Sequence, residues 1–176
     1  MIGGGGCLAL VVLLLVGFAG CAALIGSGGS QTEEPTGPGL SKANAVAIGE
    51  TVKVGDVTWT VTNAQRATEL SDPFETRQGN FVIVDFTFGN ESSEQKQLDT
   101  GSLNMLDAED RVFETDSETD SFVPPELNIF LDQVNPGVTQ NGRVIFSVPA
   151  DAEGLVLRAN DTGTFSENYS YIDLNL

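Results

Sequence analysis

The stretch Gly79–Asn90, GNFVIVDFTFGN, constrains the fold more than any other part of the chain. Read at a period of two, it puts Val82, Val84, Phe86 and Phe88 on one face and Phe81, Ile83, Asp85 and Thr87 on the other. Successive side chains of a strand point to opposite faces, so this alternation predicts a half-buried β-strand. Its residues are mostly β-branched or aromatic, and glycine bounds it on both sides. One face is wholly apolar and must be covered by a second layer.

The same signal recurs along the chain. Glu50–Val54 and Val57–Ala64 flank Gly55-Asp56, and Gly at the first central position suits a two-residue type II′ hairpin. Val57, Trp59 and Val61 share a face, so Trp59 is expected in the core and not as a stacking platform. Shorter strands are expected at Lys96–Asp99, Leu103–Leu106, Arg111–Glu114 and Leu127–Leu131. In Arg111–Glu114 either Val112 or Phe113 faces inward. Asn135-Pro136-Gly137 fits a type II turn, and Arg143–Val148 follows with Val144, Phe146 and Val148 inward. Leu155 and Leu157 mark another strand, and Tyr169–Leu174 closes the chain. This count of about eight or nine strands, with no helix after the leader, predicts an all-β antiparallel β-sandwich.

One connection stands out. Gln65–Gln78 is long, polar and without a period, and unstructured loops of such length are often functional. Its Phe74 is expected to tuck back onto the core.

The leader dictates the address. Cys7–Ile25 carries no charge, and at ~1.5 Å per residue a helix of this length nearly crosses a hydrocarbon core. One N-terminal hydrophobic helix therefore precedes the sandwich, with residues 1–25 serving as membrane anchor or lipoprotein signal. In the second reading Phe18-Ala19-Gly20-Cys21 resembles a lipobox, and Cys21 takes the lipid. That box has Phe where Leu is usual; the spanning reading has no Lys or Arg on either flank to orient it. The start, MetIleGlyGlyGlyGly, has no basic residue, as expected if the natural first Met lies upstream. Residues 26–45 are rich in Gly, Ser and Pro and are expected to form a flexible linker, leaving 46–176 as the domain. The address is then the cell membrane, with the folded domain on the extracellular side.

Charge and composition exclude several function classes. The net charge is -17, which repels phosphate backbones and argues against nucleic acid as a partner. There is no His, and both cysteines lie in the leader. The domain thus lacks the usual general base, a thiol nucleophile, a disulfide and a Cys-based zinc site. No catalytic residue and no cofactor is expected. Asp85 is the only acid inside a strong core strand and is expected to face solvent, so no carboxylate pair for glycoside hydrolysis can be assigned.

Asp107, Glu109 and Asp110 form a candidate calcium cluster, because hard cations take grouped carboxylates; Asp116, Glu118 and Asp120 form a second. Neither has the spacing of an EF-hand loop. Asn90, Asn160 and Asn168 stand in N-x-Ser/Thr sequons.

GNFVIVDFTFGNES resembles the central strand and turn of a family of prokaryotic extracellular domains of unknown function. IGETVKVGD (48–56) with Trp59-Thr60-Val61, Leu127–Gly137, RVIFSVP (143–149) and YIDL (171–174) extend the likeness over roughly Ala47 to Leu174. That family is similar in fold to a secreted immunoprotective mycobacterial antigen, which implies an immunoglobulin-like sandwich. It has no established catalytic residues to carry over. The resemblance and the leader together imply a non-enzymatic cell-surface module with a protein or cell-envelope partner. Gln65–Gln78 and Thr115–Glu126 are the candidate contact regions. A calcium-responsive envelope module is the alternative.

Overall fold

The computed structural model describes residues 36–163 and 166–176. The leader, and Cys21 with it, lies outside the described residues. Among the described residues no helix is long and apolar enough to cross a membrane.

The strands in order are β1 (Val46–Ala47), β2 (Thr51–Val54), β3 (Val57–Ser71), β4 (Thr76–Asn90), β5 (Lys96–Gln97), β6 (Leu103–Leu106), β7 (Val112–Phe113), β8 (Gln133–Val134), β9 (Thr139–Ser147), β10 (Val156–Asn160) and β11 (Tyr169–Asp173). One sheet runs β2-β3-β4-β9, the other β1-β11-β10-β6-β7, and β5 and β8 pair as a separate ribbon. The short β1 runs parallel to β11, whereas the long pairs are antiparallel.

The alternation in β4 resolves as expected. Val82, Val84, Phe86 and Phe88 join Trp59, Val144 and Phe146 of their own sheet and Leu103, Met105, Leu157 and Ile172 of the other in one core. Each such side chain contributes about 1.5–3 kcal/mol on burial. Trp59 lies 5.5 Å from Phe86 and 4.8 Å from Phe88 between ring centroids. Its Nε1 donates to the Asn160 carbonyl at 2.8 Å, so the buried indole N–H is satisfied. Phe86 pairs with Gly142, and a Cβ there would come within 2.5 Å of the ring; the glycine makes room for it. The predicted turns also form. Gly55 has φ +57° between the paired Val54 and Val57. Gly137 has φ +73°, with the Val138 N–H donating to the Asn135 carbonyl at 3.1 Å.

Several expectations are corrected. Gln65–Gln78 is not a loop, because β3 and β4 continue through it as a hairpin closed by Asp72–Glu75. Polar side chains on an exposed ribbon erase the period that marks a strand, and register shifts between Val61 and Asn63 and between Ala67 and Glu69 break it further. Leu127–Leu131 is not a strand; a 3-10 turn, Pro125–Leu127, occupies its start. The Leu127 and Asn128 N–H groups donate back to the Pro124 carbonyl at 2.8 and 3.1 Å, and Leu131 sits at φ +69°, outside strand geometry. Residues 36–45, expected in the linker, pack on the domain: the Tyr171 N–H donates to the Gly39 carbonyl at 2.9 Å, and Lys42 Nζ reaches Asp110 Oδ1 at 2.6 Å. Of Val112 and Phe113, Phe113 packs on the core and Val112 is exposed.

A second, smaller core lies on the outer face of the β3-β4-β9 sheet. Leu70, Phe81, Val123 and Ile145 are buried there, with Ala67, Ile83, Phe122 and Leu127 packed around them. The face assigned to solvent by alternation is thus covered at one end by residues 117–127.

Candidate functional site

The two acidic clusters are bound up in structure. Asp107 is fully buried: Oδ1 accepts from the Glu109 N–H at 3.1 Å and the Arg111 N–H at 2.9 Å, and Oδ2 from Arg111 Nε at 2.5 Å. Burial pushes its carboxyl up, but the Arg111 backbone and guanidinium outweigh this and hold it below the usual carboxylate range. Asp110 is paired with Lys42, and Glu109 lies 3.8 Å from Arg111. Asp107, Glu109 and Asp110 therefore do not converge on a cation. The cluster is an arginine hub that closes the β6–β7 turn.

Asp116 and Glu118 are likewise engaged within the fold, both on Arg77 Nη2. Asp116 Oδ1 caps the Glu118 N–H at 3.0 Å, and its Oδ2 accepts from the Ser147 hydroxyl at 2.8 Å. Arg77 Nη2 holds Glu118 at 2.9 Å. Burial raises the Asp116 carboxyl, yet Ser147, the Glu118 N–H and Arg77 bring it below its ordinary value. Asp120 is pushed up, by burial and then by Asp116. Among the described residues no group of three His, Cys, Asp or Glu is placed to hold a metal ion.

Asp85 lies on the outer face as expected, but it is engaged and not free. Arg143 forks onto it, with Nε at 2.6 Å and Nη2 at 3.2 Å, and Asn63 adds a third donor at 3.3 Å. Asp85 is thus one half of an ion pair on the outer face of the sheet. Of the sequons, Asn90 is 1% exposed and donates to the Glu94 and Val134 carbonyls at 2.7 and 2.8 Å. Asn160 is also buried, whereas Asn168 is exposed. A cleft of about 500 Å3 opens between β2 and β11, lined by Lys53, Val54, Tyr169 and Tyr171 among others. Lys53 is paired with Glu91 at 2.6 Å, and no reactive pair converges there among the described residues.

The end of the β3–β4 hairpin has a different character. Beyond Ala67 and Phe81 the two strands pair through Glu69 with Gln78, Leu70 with Arg77 and Ser71 with Thr76. The turn is built by Asp72, whose Oδ1 accepts from the Phe74 and Glu75 N–H groups, both at 2.7 Å, while the Asp72 N–H donates to the Glu75 carbonyl at 3.0 Å. This locked turn holds Phe74 outward, 95% exposed. The expected tuck does not occur, because the hairpin carries Phe74 away from the apolar surface it needed.

The two candidate contact regions, separate in sequence, meet here. Ser121 donates to Glu75 Oε1 at 3.1 Å, and Arg77 bridges to Asp116 and Glu118. The second core of Leu70, Phe81, Val123 and Ile145 lies beneath. The result is one surface with an aromatic tip and an acidic border. Nothing in the sequence marks Arg77 as the clamp between the two regions. The apolar pair Phe122-Val123 was the signal available for the docking of the segment.

Comparison with known proteins bears on the whole domain. Residues 46–170 match the model of a family described as a domain of unknown function, DUF4352. The chain belongs to this family. No curated protein matches it. Among solved structures the DUF4352 chain is similar to the yjhA protein from Bacillus subtilis, at 15% identity and TM-score 0.56, covering 73% of this chain and 99% of that one. It is similar to the secreted protein MPT63 from Mycobacterium tuberculosis, at 10% identity and TM-score 0.52, covering 74% and 98%. The ycdA protein of Bacillus subtilis, a candidate lipoprotein, matches at 13% identity and TM-score 0.51, covering 70% of this chain and 38% of that one. At these identities the likeness shows the fold, a β-sandwich, and the DUF4352 family carries no assigned reaction.

Proposed function

We propose that this DUF4352 protein is a non-enzymatic binding module, held at the outer face of the cell membrane by residues 1–25, that makes contact through the end of its β3–β4 hairpin. The observation that carries this reading is Phe74. A large aromatic side chain almost wholly in water, on a turn fixed by two hydrogen bonds from its own backbone, costs solubility and adds nothing to the core. Rigid presentation of this kind lowers the entropy lost on binding. The absence of His from the whole chain and the engagement of Asp85 by Arg143 favour a binding role over a reaction. The apolar leader, the secreted MPT63 and the candidate lipoprotein ycdA support an address outside the cytoplasm.

Crosslinking in intact cells that express the full chain tests the contact. Discrete adducts are expected from the natural protein and their loss from Phe74→Ala; the same adducts from both would defeat the reading. Mass spectrometry of the mature N-terminus tests the anchor. A lipid on Cys21 or an intact leader agrees with it, and a cleaved, unlipidated chain does not.

A further inference from the structure

We infer that the hairpin end docks on a protein surface offering an apolar pocket bordered by Lys and Arg side chains. This rests on the reading of the hairpin end as the contact surface. Phe74 supplies the anchor, and aromatic anchors seated in a pocket dominate binding energy where they occur. Its surroundings set the chemistry of the rim. Asp72 and Glu75 flank it within the turn, and Asp120 stands on the segment fixed beside it by the Ser121–Glu75 hydrogen bond. Arg77 is the cation of this surface, and Asp116 and Glu118 already engage it at 3.4 and 2.9 Å. Among the described residues no Lys or Arg pairs with Asp72, Glu75 or Asp120, whose partners are backbone N–H groups for Asp72 and the Ser121 hydroxyl for Glu75.

A pocket that swallows Phe74 must bring these carboxylates against its own surface. Burying charge without a partner is costly, so the rim of the pocket has to supply cations. Other occupants fit less well. A bilayer that took up Phe74 would draw Asp72 and Glu75 into the headgroup region, where their charges lose hydration with no fixed cation to replace it. A second copy of the chain carries the same net charge of -17 and would set one acidic border against another.

The test uses the full chain in its own cells. A photoreactive p-benzoylphenylalanine at position 74 keeps an aromatic anchor, and the crosslinked peptide is mapped by mass spectrometry. The expected product is a protein, crosslinked at an apolar site with Lys or Arg beside it. Its yield should fall roughly threefold in Glu75→Gln with Asp120→Asn, and again with added salt, as rim charge pairs of modest strength would dictate. A lipid product, a neutral or acidic site on the partner, or a yield indifferent to both changes overturns the pocket chemistry while leaving the hairpin end as the contact. No product from position 74, with products from the same probe at exposed position 112 on β7, overturns the contact surface itself; no product from either position overturns both.

Discussion

The two ends of one hairpin teach different things. Near the Gly55 turn, β3 and β4 lie inside the sandwich, where Trp59, Phe86 and Phe88 pack at tilted angles in a core shared by both sheets. Near Asp72 the same strands leave it. There they are held by a small outer core and by Arg77, and they carry Phe74 into water. One end commits its aromatic residues to stability, and the other withholds one from it. The difference separates what folds the domain from what the domain presents.

The largest effect should come from the inner end. Trp59→Ala or Phe86→Ala removes a fully enclosed ring and should cost about 3–5 kcal/mol in denaturant unfolding. Ile145→Ala, in the outer core, should cost about 2–3 kcal/mol, near the low end for such truncations. Hydrogen exchange in that variant should quicken in residues 69–78 and 117–127 and leave 82–88 protected. Equal loss of protection at both ends would show that the hairpin is one cooperative unit and erase the distinction.

Acid sharpens the comparison. The carboxyls of Asp107 and Asp116 lie below their ordinary values in the fold. Their stabilising contribution is whole above the unfolded pKa of about 3.9 and is lost as pH falls through the lowered folded values. Asp120 is raised, so its charge is a cost that protonation relieves as pH falls through its folded value. Acid melting followed by circular dichroism should therefore show the Asp107→Asn variant less stable at pH 7, with a shallower loss toward low pH. A natural and a variant protein with parallel acid limbs would contradict this.

The smallest effect on stability should be that of Phe74→Ala, within about 0.5 kcal/mol, as for surface positions outside any packed feature. A larger loss would mean that Phe74 belongs to the fold after all.

How far the sequence disclosed all this depends on the end considered. Val82, Val84, Phe86 and Phe88 alternate without interruption because one face is dry and the other wet, and that is the physical condition that a period of two reports. At the other end the condition fails. Phe81 and Ile145 sit on the face that alternation assigns to water, yet residues 117–127 cover them. Thr68, Glu69 and Gln78 are polar and exposed, and the register shift between Ala67 and Glu69 puts Leu70 out of step with the strand before it, so the segment has no period to show. Asp107 read as a calcium ligand because its neighbours in sequence are acids, whereas its neighbours in space are the backbone and guanidinium of Arg111. Composition reports charge, but pairing depends on which side chains the turn brings inside.

The most direct test of the hairpin end as a contact surface is cysteine labelling at Pro73→Cys. This position is exposed, its nitrogen makes no bond in the turn, and Phe74 and Asp72 remain in place. Both native cysteines, Cys7 and Cys21, lie in the leader, so peptide-resolved mass spectrometry reads position 73 alone. With Val112→Cys as an exposed control, position 73 should react freely in the purified full chain and be protected several-fold on intact cells, while position 112 reacts alike in both. Equal reactivity of position 73 in the two settings would contradict the account.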